Sequence, residues 1–372
     1  MRVEPFEIRV GDDVLADLRE RIRRTRWPDP APAEPWRQGT DLDYLRGLLD
    51  YWADGFDWPA QQRRLNELPQ FRAEIDGVKI HFVHEKARNG DGIPLVLTSG
   101  WPSNFVELLP LVPLLTDPDT GPAFDVVIPS LPGYGFSERP RRTDVNYRYV
   151  ARLWHQLMRG LGYQRYGAHG SDFGGGVAAL MAYDEPAPMI GLHLTDMDIS
   201  PAYPERNELS QQERDYLDHH AEWWQGEGGY KAVQSTKPQT LGYALNDSPA
   251  GLAAWICEKW HSWSDSHGSL DRHRDLLLTI LTIYWATGSI TSSMRDYYDN
   301  RWHPVSPDRI AVPTGFAVFS HQHVPEGEPP REWAQRQYDV RRWTRMPRGG
   351  HFPAAEEPEL LATDIRAFFG DL

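Results

Sequence analysis

The sequence predicts an α/β fold with a mostly parallel central sheet that a helical insertion interrupts. Short β-rich runs alternate with helical stretches over 66–200, and this alternation is typical of a sheet covered by helices on both faces. Strand patterns disappear over 201–304, where helical patterns dense in aromatic residues replace them, and resume over 305–372. We therefore expect one sheet domain carrying a helical lid, with 1–65 as an N-terminal wrapping segment too polar to form its own core.

The N-terminal segment contains one clear helical pattern. Apolar side chains recur at helical spacing from Val14 to Ile22, and we expect Asp12 and Asp13 before them to cap the helix. Trp27 and Pro28 then end the pattern. Pro- and Trp-rich sequence follows, which is consistent with a segment that packs on the main domain.

Two kinds of hydrophobic pattern in the sequence predict the strands of the sheet. Lys79–His84 alternates like a half-buried strand, whereas Pro94–Leu97 and Asp125–Ile128 are continuous apolar runs typical of interior parallel strands. Further strands are predicted at Tyr166–His169, Gly315–Phe319 and Thr344–Met346, and helices at Asn104–Leu115, Arg148–Gly160, Gly174–Tyr183 and Pro358–Phe369.

Composition excludes several classes of function. The formal net charge of −14 argues against a nucleic-acid partner, because phosphate binding needs clustered Lys and Arg. Cys257 is the single cysteine and lies in an apolar run, which predicts a buried, inert thiol. The chain has no apolar leader and no run approaching about 18 apolar residues. We expect a soluble, cytoplasmic protein without a membrane partner, and the sequence leaves a homodimer open.

Gly170-Ser171-Asp172-Phe173-Gly174 matches the Gly-x-nucleophile-x-Gly elbow, with aspartate in place of the more common serine. A predicted strand precedes it and a helix rich in small residues follows. An aspartate at this tip lies at a helix N-terminus, which favours its charged form. The alternative is an ordinary glycine turn whose aspartate caps the helix.

Two further motifs favour the nucleophile. Ser99-Gly100-Trp101-Pro102 follows an apolar strand, so that the backbone N–H groups of Trp101 and Phe173 are predicted to converge on one oxygen of the attacked centre. His351 lies between the last predicted strand and the last helix, a position that predicts a general base. The alternative for His351 is a satisfied polar residue.

These motifs lie in a chain that resembles the epoxide hydrolase family, in the branch of the microsomal and juvenile-hormone enzymes, over nearly its whole length. The segments that carry the resemblance are Pro5–Pro30, Phe56–Trp58, Ser130–Ser137, Gly242–Lys259, and Met346–Phe352 together with Glu356–Leu360. The resemblance implies an α/β-hydrolase fold with a lid. It also implies a small-molecule epoxide substrate and no cofactor or metal.

The resemblance also implies roles for individual residues. Asp172 would attack an epoxide carbon to form an ester, and His351 with an acid would activate water to cleave it. Two lid tyrosines would donate to the epoxide oxygen, and they correspond to Tyr230 and Tyr297, with Tyr298 as a substitute for the latter. The alternative is that both tyrosines belong only to the lid core.

The sequence departs from the family at two positions of the site. Ser99 stands where the family's oxyanion loop begins with histidine, which should leave the N–H donor of Trp101 in place. Gln322 stands where the family has the acid that orients the histidine, and an amide cannot stabilise an imidazolium. Asp196 and Asp198 are candidate replacements, with Glu326 and Glu328 more remote; otherwise Asp196 and Asp198 are hinge carboxylates.

The predicted function is epoxide hydrolysis through an ester on Asp172, acting on a bulky or aromatic substrate such as a natural product. The alternative is non-hydrolytic epoxide opening, by cyclisation or carbon–carbon bond formation, in secondary metabolism. A third reading is a non-catalytic binder, which the presence of Asp172, His351 and both tyrosines disfavours. His321 and His323 suggest a metal site, but no third ligand stands at a telling spacing.

Overall fold

A computed structural model describes residues 1–197, 205–319 and 328–372. Within these ranges nine strands form one sheet in the order β1-β2-β3-β5-β4-β6-β7-β8-β9. Neighbours from β1 to β5 along this order pair antiparallel, and all pairs from β5 to β9 are parallel. The strands are β1 (Val3–Pro5), β2 (Gln70–Ile75), β3 (Val78–Glu85), β4 (Ile93–Thr98), β5 (Phe124–Pro129), β6 (Tyr166–Gly170), β7 (Met189–Leu194), β8 (Ile310–Val318) and β9 (Tyr338–Arg345).

The helices cover the sheet and fill the long connection between β7 and β8. Those outside that connection are α1 (Asp12–Arg23), α2 (Leu42–Asp50), α3 (Trp58–Leu65), α4 (Leu111–Thr116), α5 (Tyr147–Gly160), α6 (Phe173–Asp184), α13 (Arg331–Gln335), α14 (Pro353–Glu356) and α15 (Pro358–Gly370). The connection, here called the helical insertion (205–302), contains α7 (Gln211–Glu227), α8 (Gly229–Gln234), α9 (Pro238–Asp247), α10 (Pro249–Trp263), α11 (Arg274–Thr287) and α12 (Ile290–Trp302).

Helices α6 and α15 lie on opposite faces of the sheet. His169 of β6 bonds His193 of β7, and His193 bonds Asp364 of α15, so the His169 side chain points to the α15 face. The next residue, Gly170, points the other way, as alternation along a strand requires, and is in close contact with Gly174 of α6. Interior residues such as Leu95 and Val126 are fully buried between these layers. Buried faces on both sides explain the continuous apolar runs in the sequence.

Most predicted elements are confirmed, and two details are wrong. The strands predicted from Lys79 to Met346 correspond to β3–β6, β8 and β9, and the helices after Arg148, Gly174 and Pro358 are present. Asn104–Leu115 is not one helix but a 3₁₀ turn, Phe105–Leu108, followed by α4, because Pro110 cannot donate a backbone hydrogen bond. The N-cap of α1 is Gly11, not Asp12 or Asp13. These two aspartates lie in the first turn, where their negative charges interact favourably with the helix dipole.

The N-terminal segment contacts both the sheet and the helical insertion. β1 extends the sheet edge by pairing with β2. Trp52 donates its indole N–H to the Thr282 hydroxyl at 2.9 Å, and the Thr40 hydroxyl donates to the Ala254 carbonyl oxygen at 2.6 Å. These bonds join 1–65 to α10 and α11. The boundaries near 65, 200 and 305 stay a prediction.

Two sequence expectations concern single features. Cys257 is completely buried, as predicted, and burial raises the pKa of its thiol, so that the thiol stays protonated.

Among the residues described, no individual helix has the length and apolar content needed to cross a membrane, while the pair Asp271–Thr287 and Ile290–Trp302, bent by 90°, meets that criterion jointly.

Candidate active site

The side chains singled out in the sequence follow the carboxyl ends of parallel strands. The Trp101 loop follows β4, Asp172 follows β6, Asp196 follows β7 and His351 follows β9. Because the carboxyl ends of parallel strands lie at one edge of the sheet, the topology brings these four residues together.

Asp172 occupies a strained turn between β6 and α6. Its backbone has φ 51° and ψ −129°, a conformation that non-glycine residues seldom adopt. Gly170 and Gly174 flank it in such close contact that a Cβ on Gly174 would overlap the Thr98 carbonyl oxygen. The turn therefore needs glycine on both sides, and it presents the carboxylate at the N-terminus of α6.

Both predicted N–H donors bind the same carboxylate oxygen. Asp172 Oδ1 accepts from the backbone N–H of Trp101 at 2.9 Å and from that of Phe173 at 2.7 Å. Asp196 lies on the other side of the turn, where its Oδ2 accepts from the backbone N–H of Asp172 at 2.6 Å. Asp196 thus supports the elbow that carries the candidate nucleophile.

His351 faces the second oxygen of Asp172. Its Nε2 lies 3.5 Å from Asp172 Oδ2, and the imidazole is buried. Burial lowers the pKa of His351, but the adjacent Asp172 carboxylate, together with Asp196 and Glu107, raises it more, so that the pKa lies above its usual range. The free site therefore favours an imidazolium beside a carboxylate.

Tyr230 of α8 and Tyr297 of α12 lie together above this pair of groups. Their ring centroids are 5.8 Å apart, and both rings contact the Trp101 ring, at 5.5 and 5.7 Å. Tyr297 also lies 4.7 Å from the Phe173 ring. Both tyrosines thus contact Trp101, and Tyr297 also contacts Phe173, the second residue whose N–H group binds Asp172. Burial, then nearby Tyr230 and Asp172, raises the pKa of Tyr297, so that its hydroxyl keeps its proton.

Comparisons with known proteins show the family to which the chain belongs. Residues 3–108 match the family model "Epoxide hydrolase N terminus", and residues 93–233 match "alpha/beta hydrolase fold". Epoxide hydrolase 1 of Sus scrofa is 36% identical over 99% of this chain and 88% of that protein. The chain belongs to the epoxide hydrolase family.

Solved structures of the family superpose on the whole chain. The juvenile hormone epoxide hydrolase of the silkworm Bombyx mori has a TM-score of 0.89 at 29% identity and covers 100% of this chain and 94% of that one. The Aspergillus niger epoxide hydrolase has a TM-score of 0.88 at 31% identity, with coverage of 100% and 97%. The fold is therefore the α/β-hydrolase fold, and the protein is an epoxide hydrolase-like enzyme.

Sequence reasoning missed a buried carboxyl group close to the centre of this epoxide hydrolase site. Glu107 is 2% exposed on the 3₁₀ turn that follows the Trp101 loop, and this turn packs against α14, directly after His351. Burial raises the pKa of Glu107 to about 7, with the Asp172 and Glu356 charges acting in the same direction. A single glutamate in the apolar run Phe105–Leu109 is the signal that could have found it.

The histidine loop contains a second missed carboxylate, Glu356, which accepts three backbone N–H groups around His351. Trp263 was also overlooked, although its ring lies 5.1 Å from both His351 and Tyr230. The sequence includes Glu356 in the segment that resembles the family. Nothing in the pattern distinguishes it from its neighbour Glu357.

The remaining sequence candidates either lie away from these groups or fall outside the described residues. Gln322, Asp198, Glu326, His321 and His323 fall outside the described residues. Glu328 pairs with Arg345 at 3.4 Å. Tyr298 is 38% exposed on α12 and packs on Trp302, so Tyr297 is the tyrosine of this helix that reaches the site. In the part of the chain that the structure describes, no group of three or more His, Cys, Asp or Glu could hold a metal ion.

Proposed function

We propose that this enzyme hydrolyses an epoxide through a covalent ester on Asp172. One observation carries the proposal: Asp172 Oδ1 is held by two backbone N–H groups while Oδ2 lies 3.5 Å from His351 Nε2. One oxygen is thereby fixed as the future carbonyl oxygen of an ester, and the other is left to attack.

In the first step Oδ2 attacks an epoxide carbon and the ring C–O bond breaks. The electrons of that bond pass to the ring oxygen, which takes a proton from the hydroxyl of Tyr230 or Tyr297. A buried phenol with a raised pKa is a poor acid towards water, but an alkoxide is basic enough to accept its proton. Imidazolium His351 holds the proton that restores the tyrosine.

Ester formation changes the proton affinity of His351. The Asp172 carboxylate raises the pKa of His351, and this charge disappears when Asp172 becomes an ester, whereas the opposing effect of burial persists. The pKa of His351 then falls, and the neutral imidazole can accept a proton from water. The water oxygen attacks the ester carbonyl carbon, and the Trp101 and Phe173 N–H groups stabilise the oxyanion at Oδ1. The bond between the carbonyl carbon and the substrate oxygen then breaks, and the leaving alkoxide takes the second proton of the attacking water. The diol leaves, and His351 is again protonated beside a carboxylate.

We propose a bulky or aromatic substrate, of the kind found among natural products. The support is the aromatic lining next to Asp172, which Trp101, Trp263, Tyr230 and Tyr297 form with rings 5.1 to 6.3 Å apart. Such rings offer apolar contact area and stacking to a planar group on the epoxide.

The second candidate function is opening of the epoxide by a nucleophile within the substrate, in secondary metabolism, and Gln322 is the residue that favours it. Asp196 and Glu107 favour hydrolysis, since both carboxyl groups favour imidazolium at His351. Gln322→Glu separates the two functions. It should increase diol formation strongly in an enzyme that lacks an acid, and change it little in one where the other carboxylates suffice.

The test of the proposal is a single-turnover experiment with styrene oxide in H₂¹⁸O. We expect the wild type to place ¹⁸O in Asp172, because water attacks the ester carbonyl carbon. His351→Gln should accumulate protein heavier by one styrene oxide, with the added mass on the peptide that contains Asp172. Diol that carries ¹⁸O from the first turnover, without any ester in the variant, would contradict the covalent mechanism.

A further inference from the structure

The loop that carries His351 is bonded to the end of α10, and to Asp265 just after it, through the alternate backbone N–H groups of His351 and Gly349. The N–H of Gly349 donates to Asp265 Oδ2 at 3.0 Å, and that of His351 donates to the Trp263 carbonyl oxygen at 2.8 Å. A Cβ on Gly350 would lie 2.5 Å from this carbonyl oxygen, so glycine allows the close approach. The histidine loop and the helical insertion therefore meet backbone to backbone.

The carboxylate of Glu356 lies where the histidine loop meets the end of α10, a contact that we call the junction. Its Oε2 accepts from the N–H of Gly350 at 3.0 Å and from that of Asp265 at 2.6 Å, while its Oε1 accepts from Phe352 at 2.9 Å. Gly350 and Phe352 are the residues on either side of His351. The side chain is 7% exposed, so little water can replace these bonds.

Aromatic packing supports the same junction. Trp260, in the last turns of α10, stacks on Phe352 with ring centroids 3.8 Å apart and planes 2° from parallel. Trp263, one turn later, contacts the His351 ring edge to face at 5.1 Å and the Tyr230 ring at the same distance. The end of α10 thus contacts the histidine on one side and the substrate-facing tyrosine on the other.

We propose that Glu356 is a positioning residue for His351, which fastens the histidine loop to the end of α10 and keeps Nε2 directed at Asp172. This inference rests on the proposed function, since it concerns the step in which His351 activates water. Geometric errors of about 1 Å in a catalytic group can cost about 10²-fold in rate. Loss of Glu356 should therefore affect ester hydrolysis and leave ester formation nearly unchanged.

The test compares Glu356→Gln with Glu357→Gln in single turnovers of styrene oxide, following alkylation and ester hydrolysis separately. Glutamine has the volume of Glu356, but its amide nitrogen is a donor. This nitrogen takes the place of one carboxylate oxygen, and it cannot accept the backbone N–H groups that the oxygen accepted. Glu357 is the matched control, because it is equally buried but bonds the Arg348 side chain at 2.8 Å. We expect Glu356→Gln to hydrolyse the ester about 10²-fold more slowly, with alkylation unchanged, and Glu357→Gln to behave as wild type.

Equal slowing of both phases in Glu356→Gln, together with a lowered thermal midpoint, would show a merely structural role and overturn the inference. If Glu356→Gln does not fold, Glu356→Asp decides, because it keeps the charge but draws the carboxylate back by one methylene from the three N–H groups that it accepts; normal hydrolysis in that variant would overturn the inference. His351→Gln separates this outcome from failure of the proposed function. If His351→Gln traps the ester and Glu356→Gln hydrolyses it at the wild-type rate, only the inference about Glu356 fails.

Discussion

The sheet edge and the helical insertion supply different kinds of atom to the same site. The sheet edge supplies Asp172, His351 and two backbone N–H groups, each within a few residues of a strand end. The insertion supplies Tyr230 from α8, Tyr297 from α12 and Trp263 at the end of α10, three helices that are far apart in sequence. We infer that the groups at the sheet edge form and hydrolyse the ester. The groups of the insertion assist opening of the epoxide ring and contact the substrate.

The strongest test of the sheet edge is Asp172→Asn. The amide is a poor nucleophile and cannot form the ester, so we expect loss of all turnover of any epoxide. Asparagine tolerates the positive φ of this position, which should preserve the fold. Diol formation and intact mass would be followed together, with mass spectrometry confirming that the amide has not reverted to aspartate. Undiminished activity would exclude Asp172 as nucleophile.

The matching test of the insertion is the exchange of each tyrosine for phenylalanine. Tyr230→Phe and Tyr297→Phe should each slow alkylation by about 10²–10⁴, the usual contribution of a general acid, because the ring oxygen loses a proton donor. Rapid-quench measurement of ester formation with styrene oxide checks this. Tyr298→Phe, on the exposed side of α12, is the control and should match the wild type. A variant with normal alkylation and slow hydrolysis would reverse the assigned roles.

The two regions also differ in how far the sequence alone predicts them. The elbow and the Trp101 loop lie at the strand ends that their sequence patterns indicate, because sharp turns at strand ends leave local patterns of glycine. The tyrosines came from family resemblance, since helical spacing within the insertion does not separate a site tyrosine from a core tyrosine. Tyr230 and Tyr297 are both 7% exposed, and Tyr284 is buried as completely as any core residue.

The carboxylates around His351 were the hardest to predict. Asp196 was expected near the histidine as a substitute acid, and in the structure it accepts the backbone N–H of Asp172. Glu107 and Glu356 are brought to the histidine by the packing of α14 against the turn after β4. Those contacts join residues about 250 positions apart in the chain, and no local pattern records them.

Asp196→Asn distinguishes two roles of Asp196: support of the elbow by a hydrogen bond, and a negative charge that raises the pKa of His351. The amide oxygen can still accept the Asp172 N–H, so the elbow should keep its geometry, but the negative charge that raises the pKa of His351 is lost. The pKa of His351 should then fall, which makes its imidazole a weaker base towards water, and we expect ester hydrolysis to slow by less than the about 10²-fold that loss of a whole general base costs. The pH profile of single-turnover hydrolysis measures this. An unchanged profile would leave Asp196 with support of the elbow alone.

The last expected effect concerns stability, not rate, and involves the buried carboxyl group of Glu107. Burial raises the pKa of Glu107 from its ordinary value of 4.5 to about 7, so between these pH values the folded chain retains a proton that the unfolded chain has released. The unfolded state then binds fewer protons, and the free energy of unfolding falls as pH rises through this window. Glutamine cannot ionise, so Glu107→Gln should avoid the loss and gain up to about 3 kcal/mol over the wild type near neutral pH.

Denaturant unfolding of both proteins from about pH 4.5 to pH 8 measures this difference. Glu222→Gln, at an exposed position of α7, is the control and should give a difference that does not change with pH. A flat difference for Glu107→Gln would show that the carboxyl group ionises as readily in the folded chain as in the unfolded one. Glu107 would then have an ordinary carboxyl pKa, and Asp196 would be the better candidate for the charge that favours the imidazolium form of His351. A difference that rises with pH would show that Glu107 titrates near neutral pH in the folded chain, where the charge of Glu107 raises the pKa of His351 and the charge of His351 lowers that of Glu107.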